Sequence, residues 1–280
     1  MNNADLIVAT LRAAGISHGF GVPSGNVLPL MEAMRTGGIE FVLTAHEGSA
    51  GFAADVTARM TGKPGLCIAT LGPGATNLAT GVGCAFLDRS PLIAITCNLN
   101  QPQFGRRRQM WIDHHALFRP ITKATLALRP GHIAATLARA LRTALSEPQG
   151  PVHLDLPEDV ALAPASEPVP LLPEPEPVSP AANEAIARAA DVIRKSARPV
   201  VVIGATAMRM KTPESLRAFV ERHGIPFATT TMAKGLIDED HALSIGCIER
   251  AGRQTQRALL RSTDLIIGLG YDTVEVEYEA

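Results

Sequence analysis

Near the start of the chain Leu6, Ile7, Thr10, Leu11 and Ala14 recur at helical spacing and predict a helix over 4–14, which Gly15 stops before a short buried strand, Gly19-Phe20-Gly21-Val22. The same alternation continues. A helix around 27–34 leads to a strand at 40–43, a helix over 47–60 to a strand at 65–70, and a helix beginning near Thr76-Asn77 to the apolar strand 91–96. A long helix near 131–146 and a strand over 152–156 close the series. Strands that are apolar on both faces and alternate with helices predict an α/β fold with a doubly wound parallel sheet, covered on both sides.

Between Ala161 and Pro180 the pattern breaks, with seven prolines, several acidic residues and little periodicity. That composition favours extended, solvated chain and marks a linker over 164–182, which separates a first domain at 1–163 from a second at 183–280. Beyond it a helix over 183–196, a strand over 199–204, a helix around 214–222 and strands at 227–230 and 264–270 predict a Rossmann-like domain. With about three strands before Ala280, this second domain is expected to be truncated.

A length of 280 residues suits two such domains. A net charge of −1, with 46% apolar and 19% charged residues, gives no general attraction for nucleic acid or an anionic membrane. No run approaches the roughly 20 apolar residues of a membrane span, and no leader pattern opens the chain. Cys67, Cys84, Cys97 and Cys247 show neither zinc-ligand nor redox spacing, so they read as reduced thiols of a soluble cytoplasmic protein with a small-molecule partner.

Three loops follow predicted strands, at the carboxyl edge where open α/β sheets bind ligands: Gly21-Val22-Pro23-Ser24-Gly25-Asn26, Thr44-Ala45-His46-Glu47, and Thr70 to Asn77. Glycines there admit a close backbone approach, although glycine at a strand end is also ordinary turn chemistry. Glu47 opens a helix whose first turn continues Gly48-Ser49-Ala50-Gly51. A glutamate at that place can simply favour the positive helix end. Its small, uncharged surroundings point instead to a partly buried carboxyl group of the kind acid/base catalysis uses.

Other motifs are weaker. His46-Glu47 starts like a metalloprotease helix, but Ala50 stands where the second histidine belongs. His114 and His115 are adjacent and diverge on a helix, so they read as loop or helix-start residues rather than shared metal ligands. Arg106-Arg107-Arg108 reads as a solvated charge run or a landing site for an anionic substrate. Gly19-Phe20-Gly21 matches a dinucleotide fingerprint only in part, because Ser24 replaces the third glycine.

The stretches His46-Glu47-Gly48-Ser49-Ala50, Ala54-Asp55, Ala58-Arg59, Thr61-Gly62-Lys63-Pro64-Gly65 and Gly72-Pro73-Gly74-Ala75-Thr76-Asn77 together resemble the pyrimidine-binding domain of thiamine-diphosphate enzymes. Phe20-Gly21-Val22-Pro23, Asp88-Arg89-Ser90-Pro91-Leu92 and Gly150 to Pro157 extend the resemblance over most of residues 1–160. Asp113 to Lys123 and Gly270 to Glu275 are most similar to acetolactate synthases.

The resemblance implies that Glu47 is the catalytic group, hydrogen-bonding a ring nitrogen of the aminopyrimidine so that the cofactor can lose its thiazolium proton and attack a 2-oxo acid. In an acetolactate synthase the fragment left after decarboxylation is then joined to a second pyruvate. By position, Pro23, Ser24 and Gly25 would flank the pyrimidine and reacting centre, Thr70, Gly72, Pro73 and Gly74 would contact the ring, and Asn77 would support that loop. Gly25 and Thr70 replace side chains that some family decarboxylases use, which disfavours a histidine-assisted mechanism.

Thiamine diphosphate and Mg2+ are the implied cofactors, while flavin stays open. The family holds diphosphate and metal through a Gly-Asp-Gly motif and a paired asparagine. Here the first does not occur, and the one Asn-Asn pair, Asn2-Asn3, lies at what is expected to be a disordered start. No metal ligand is therefore assigned, and the resemblance implies a dimer or tetramer, or a complementing chain that carries the diphosphate domain. The alternatives are a catalytically inert fragment or interaction subunit, and a 2-oxo acid decarboxylase or sulfoacetaldehyde acetyltransferase-like enzyme.

Overall fold

A computed structural model of the chain describes residues 1–172, 174, 178–249 and 252–276. Parts of the expected linker, at 173 and 175–177, and the last residues, 277–280, lie outside them. The chain divides into two compact units, Met1–Val178 and Ser179–Ala280.

The first unit runs α1 (Asn3–Ala13), β1 (His18–Gly21), α2 (Leu28–Gly37), β2 (Glu40–Leu43), α3 (Glu47–Thr61), β3 (Gly65–Ala69), α4 (Pro73–Leu87), β4 (Leu92–Asn98), α5 (His114–Phe118), β5 (Ala124–Ala127), α6 (Ile133–Leu145), β6 (Pro151–Pro157) and α7 (Glu158–Leu162). Its six strands lie in the order β2-β1-β3-β4-β6-β5, every pair parallel. One face packs Leu6, Leu11, Leu30, Ile68, Ile95 and Leu137. The other packs Ala50, Ala54, Cys67, Leu78, Val82 and Phe118. Helices therefore cover both faces, the doubly wound α/β arrangement.

Local chemistry explains where the elements depart from the pattern. Helix α4 starts at Pro73 rather than near Thr76, because Gly72 turns the chain at φ +59° and a proline is preorganised for the first helical position. Strand β5 lacks a wholly apolar run and lies half-buried at the sheet edge, so periodicity did not mark it. The start of the chain is ordered. Asn2 and Asp5 cap α1 reciprocally, with the Asp5 N–H donating to Asn2 Oδ1 at 2.9 Å. Asn3 is buried and donates through Nδ2 to the Val160 carbonyl.

The beginning of the Pro-rich stretch is fastened to this unit. Ala165 and Leu172 pack on its core. Both Glu167 carboxylate oxygens accept the opening amides of α6, from Ile133 at 2.8 Å and Ala134 at 3.0 Å. His132 makes no side-chain cap there, so a residue more than thirty positions away satisfies donors that every helix start leaves open.

The second unit contains α8 (Asn183–Lys195), β7 (Pro199–Ile203), α9 (Glu214–His223), β8 (Phe227–Thr230), β9 (Ser244–Ile248), α10 (Arg253–Ser262) and β10 (Leu265–Leu269). Among the described residues four parallel strands in the order β10-β7-β8-β9 replace the three expected. Strand β9 escaped the pattern because Gly246, at φ +88°, and a register shift against β8 interrupt it. The core of this unit centres on Val201, Ile203, Val220 and Phe227. No helix among the described residues is long and apolar enough to cross a membrane.

Candidate functional site

The parallel pairing of β2, β1 and β3 puts the three loops at one sheet edge. Thr44 ties two of them together, its N–H donating to the Gly21 carbonyl at 2.9 Å and its hydroxyl to the His46 carbonyl at 3.1 Å. The Pro23-Ser24-Gly25 turn is set by the Val27 amide donating to the Ser24 carbonyl, and Asn26 anchors it by donating to Glu158 of α7 at 3.0 Å. A side chain at Gly25 would meet no atom within 4 Å, so the turn borders open space.

Helix α3 begins at this edge with His46 as its N-cap, whose Nδ1 accepts the Gly48 amide at 3.0 Å. Glu47 is therefore the first helical residue, and it is buried to 9% exposure. Helix α3 can approach α4 closely because both are small-faced at their crossing. An added Cβ on Gly51 would stand 2.7 Å from the Gly81 Cα, and one on Gly81 2.6 Å from the Gly51 Cα. This contact brings Asn77 of α4 to Glu47, and its Nδ2 donates to Glu47 Oε2 at 3.0 Å.

The other carboxylate oxygen, Oε1, lies beside Gly74, where an added Cβ would be 3.2 Å from it and 2.7 Å from Thr70 Cγ2. Glu47, Asn77, Gly74 and Thr70 thus form one cluster, and Asn77 acts on the carboxylate itself. Thr70 is nearly buried, and its hydroxyl has no partner among the described residues. Gly72 turns the loop where an added Cβ would strike the Met110 carbonyl. Pro73 then opens α4. Pro23, Ser24 and Gly25 share the edge through β1, which neighbours β3.

Sequence reasoning missed a group behind this loop. His114 is the first residue of α5, fully buried, and its Nε2 accepts the Gly72 amide at 3.4 Å. The signal available was polar residues in otherwise apolar strands, Thr96 and Asn98 in β4 and His153 and Asp155 in β6, all buried in the structure. Asp55, Cys84 and Asp88 bring ligand-type atoms within 4.8 Å of one another. Arg59 already pairs with Asp55 at 2.8 Å, so charge compensation accounts for that cluster.

Two family models match in succession, the N-terminal TPP binding domain of thiamine pyrophosphate enzymes over residues 1–117 and their central domain over residues 186–279. The chain belongs to the thiamine pyrophosphate enzymes. Relatives within the family include a probable acetolactate synthase large subunit of Methanocaldococcus jannaschii, 36% identical over 277 residues, with 96% of this chain and 47% of the relative covered. The acetolactate synthase large subunit of Corynebacterium glutamicum is 36% identical over 96% of this chain and 44% of its own length. The isozyme 2 large subunit of Escherichia coli is 33% identical, over 96% and 49%. The chain thus spans about half the length of the curated relatives it matches.

Proposed function

We propose that the chain supplies the pyrimidine side of a thiamine diphosphate site in an acetolactate synthase-like enzyme, which decarboxylates one 2-oxo acid and joins the fragment to another. The observation that carries this reading is Glu47, a nearly buried carboxylate with one oxygen fixed by Asn77 and the other beside Gly74. The surrounding residues fit the cofactor, because Thr70 offers a buried hydroxyl without a partner among the described residues and Gly25 borders open space. When bound, thiamine diphosphate supplies the carbon nucleophile and the electron sink for decarboxylation.

The chain's own residues orient and exchange protons. Glu47 would hold a ring nitrogen and trade its proton, with Asn77 keeping the carboxylate at one angle. The main chain from Thr70 through Gly72 and Pro73 to Gly74 would contact the ring, and Pro23, Ser24 and Gly25 would wall the reacting centre. The diphosphate and its Mg2+ call for ligands outside residues 1–280, from a further segment or a complementing chain. Homo-oligomeric assembly in the cytoplasm completes the reading, and the four unpaired cysteines agree with that compartment.

Calorimetric titration with thiamine diphosphate and Mg2+, with pyruvate consumption followed in the same preparation, tests the proposal. Binding that Glu47→Gln weakens supports it. Absence of binding, both alone and with a chain bearing the diphosphate domain, overturns it, and binding without turnover in that mixture makes the chain an interaction subunit.

A further inference from the structure

We infer that His114 is a positioning residue, which in its neutral form holds the Gly72 turn and on acidification releases it. The inference rests on the proposed function only for what the turn carries; the latch itself is a property of this chain. Its basis is the balance of donors and acceptors in the group formed by β4, β5, β6 and α5.

Gly72 has an amide hydrogen to give, so His114 Nε2, at 3.4 Å, must present a lone pair. The ring's hydrogen then sits on Nδ1, which has Thr96 Oγ1 at 2.8 Å and Asp155 Oδ1 at 3.2 Å as acceptors. Thr96 accepts there and passes its own hydrogen to His153 Nε2 at 2.8 Å. His153 Nδ1–H then donates to Thr125 Oγ1 at 2.7 Å, and Thr125 donates to His115 Nδ1 at 2.8 Å. His115 Nε2–H is left facing Asp155 Oδ2 at 3.7 Å.

From Gly72 to His115 Nδ1 each hydrogen finds an acceptor with every ring neutral, so the relay runs in a single direction from Gly72 to His115. Burial, with His114 and His115 nearby, holds the His153 imidazole well below its usual range, in keeping with the neutral ring that the relay requires. Asn98 completes the group by donating to both Asp155 oxygens, at 3.0 and 3.2 Å.

A second proton on His114 can enter only at Nε2, where it would oppose the amide hydrogen of Gly72. The titratable groups facing His114 are Asp155 and His153 from β6 and His115 from its own helix, while β4 offers the uncharged Thr96 and Asn98. Asp155 is the one carboxylate among them, and it lies on the Nδ1 side, so it can compensate an imidazolium without restoring an acceptor to Gly72. At 3.4 Å the Gly72 contact is the longest hydrogen bond of the relay and the first to part. Its loss frees a turn that already stands in the left-handed region and against the Met110 carbonyl.

The test is a nitrogen–proton correlation spectrum of the imidazoles in this chain across pH, with amide exchange of Gly72 measured in parallel. We expect His114 to appear as the neutral Nδ1–H tautomer, and Gly72 exchange, corrected for intrinsic rates, to rise about tenfold as His114 takes up its second proton. His114→Gln offers an uncharged oxygen in place of Nε2 and should keep the turn protected while abolishing its pH dependence; His115→Gln should leave that dependence in place. An Nε2–H tautomer at His114, or Gly72 exchange that ignores the His114 titration, overturns the inference even if a variant fails to fold, because both readings come from the unaltered chain. If the latch titrates as described while thiamine diphosphate does not bind, the functional reading falls and the latch stands.

Discussion

Each unit places a glutamate at the carboxyl edge of a parallel sheet, where open α/β folds take their ligands, and the two carboxylates are treated differently. In the first unit Glu47 receives one hydrogen bond among the described residues, from Asn77, and its Oε1 is left beside a glycine. In the second unit Glu275 is used up within the fold. Its Oε2 accepts from the Ala205 amide at 2.7 Å and the Thr230 hydroxyl at 2.6 Å, and its Oε1 from the Asp272 amide at 2.8 Å. Those donors sit at the ends of β7, β8 and β10, so Glu275 joins three strands as a ligand would. A carboxylate whose acceptors are all occupied by its own chain is a strut; one with a free oxygen is available for chemistry.

The sharpest way to break this comparison is to neutralise each carboxylate. Glu47→Gln should reduce pyruvate turnover of the cofactor-loaded, complemented enzyme on the order of 10²-fold or more, with little effect on the melting curve; unchanged turnover would take Glu47 out of the mechanism. The support beneath Glu47 can be attacked separately. Gly51→Val drives a branched side chain into the Gly81 backbone and should destabilise the first unit by about 2 to 3 kcal/mol, read by urea unfolding. A stability loss well under that would show that α3 and α4 can part without harm.

Glu275→Gln should act in the reverse sense to Glu47→Gln. It replaces one acceptor with a donor among three donors, and should lower the stability of the second unit by about 1 to 2 kcal/mol while leaving thiamine diphosphate affinity unchanged. A changed affinity with unchanged stability would make Glu275 the functional group.

The smallest expected effect is a pH slope. Burial holds the folded His153 imidazole well below its ordinary value of about 6.5, so on acidification the unfolded chain binds the proton first. Stability from this group is therefore present above about pH 6.5 and is lost as pH falls through that value toward the folded one, at no more than about 1.4 kcal/mol per pH unit. Urea midpoints measured between pH 8 and 5 should show the slope, and His153→Gln should flatten it.

Much of this was legible in the sequence, for reasons that particular residues make plain. The doubly wound sheet showed itself because β3, β4 and β6 are buried along their whole lengths and so are largely apolar on both faces, with only Thr96, Asn98, His153 and Asp155 interrupting β4 and β6. Glu47 was conspicuous because the turn after it is small and uncharged, which is also what lets α4 come close. The relay behind Gly72 was not legible, since His114, Thr96, Thr125 and His153 are far apart along the chain and each alone looks like an ordinary polar residue. Strand β9 and the ordered start were hidden for the opposite reason: a glycine and two asparagines there suggest loop, and only long-range partners such as Val160 show otherwise.

The grip of Glu167 on the start of α6 bears on how the two units can be separated in the laboratory. An expression boundary drawn where the prolines begin, after residue 163, would leave the Ile133 and Ala134 amides without their acceptor and strip Ala165 and Leu172 from the core. A fragment ending at Val178 keeps all three anchors, and should be the product of the first unit that survives limited proteolysis.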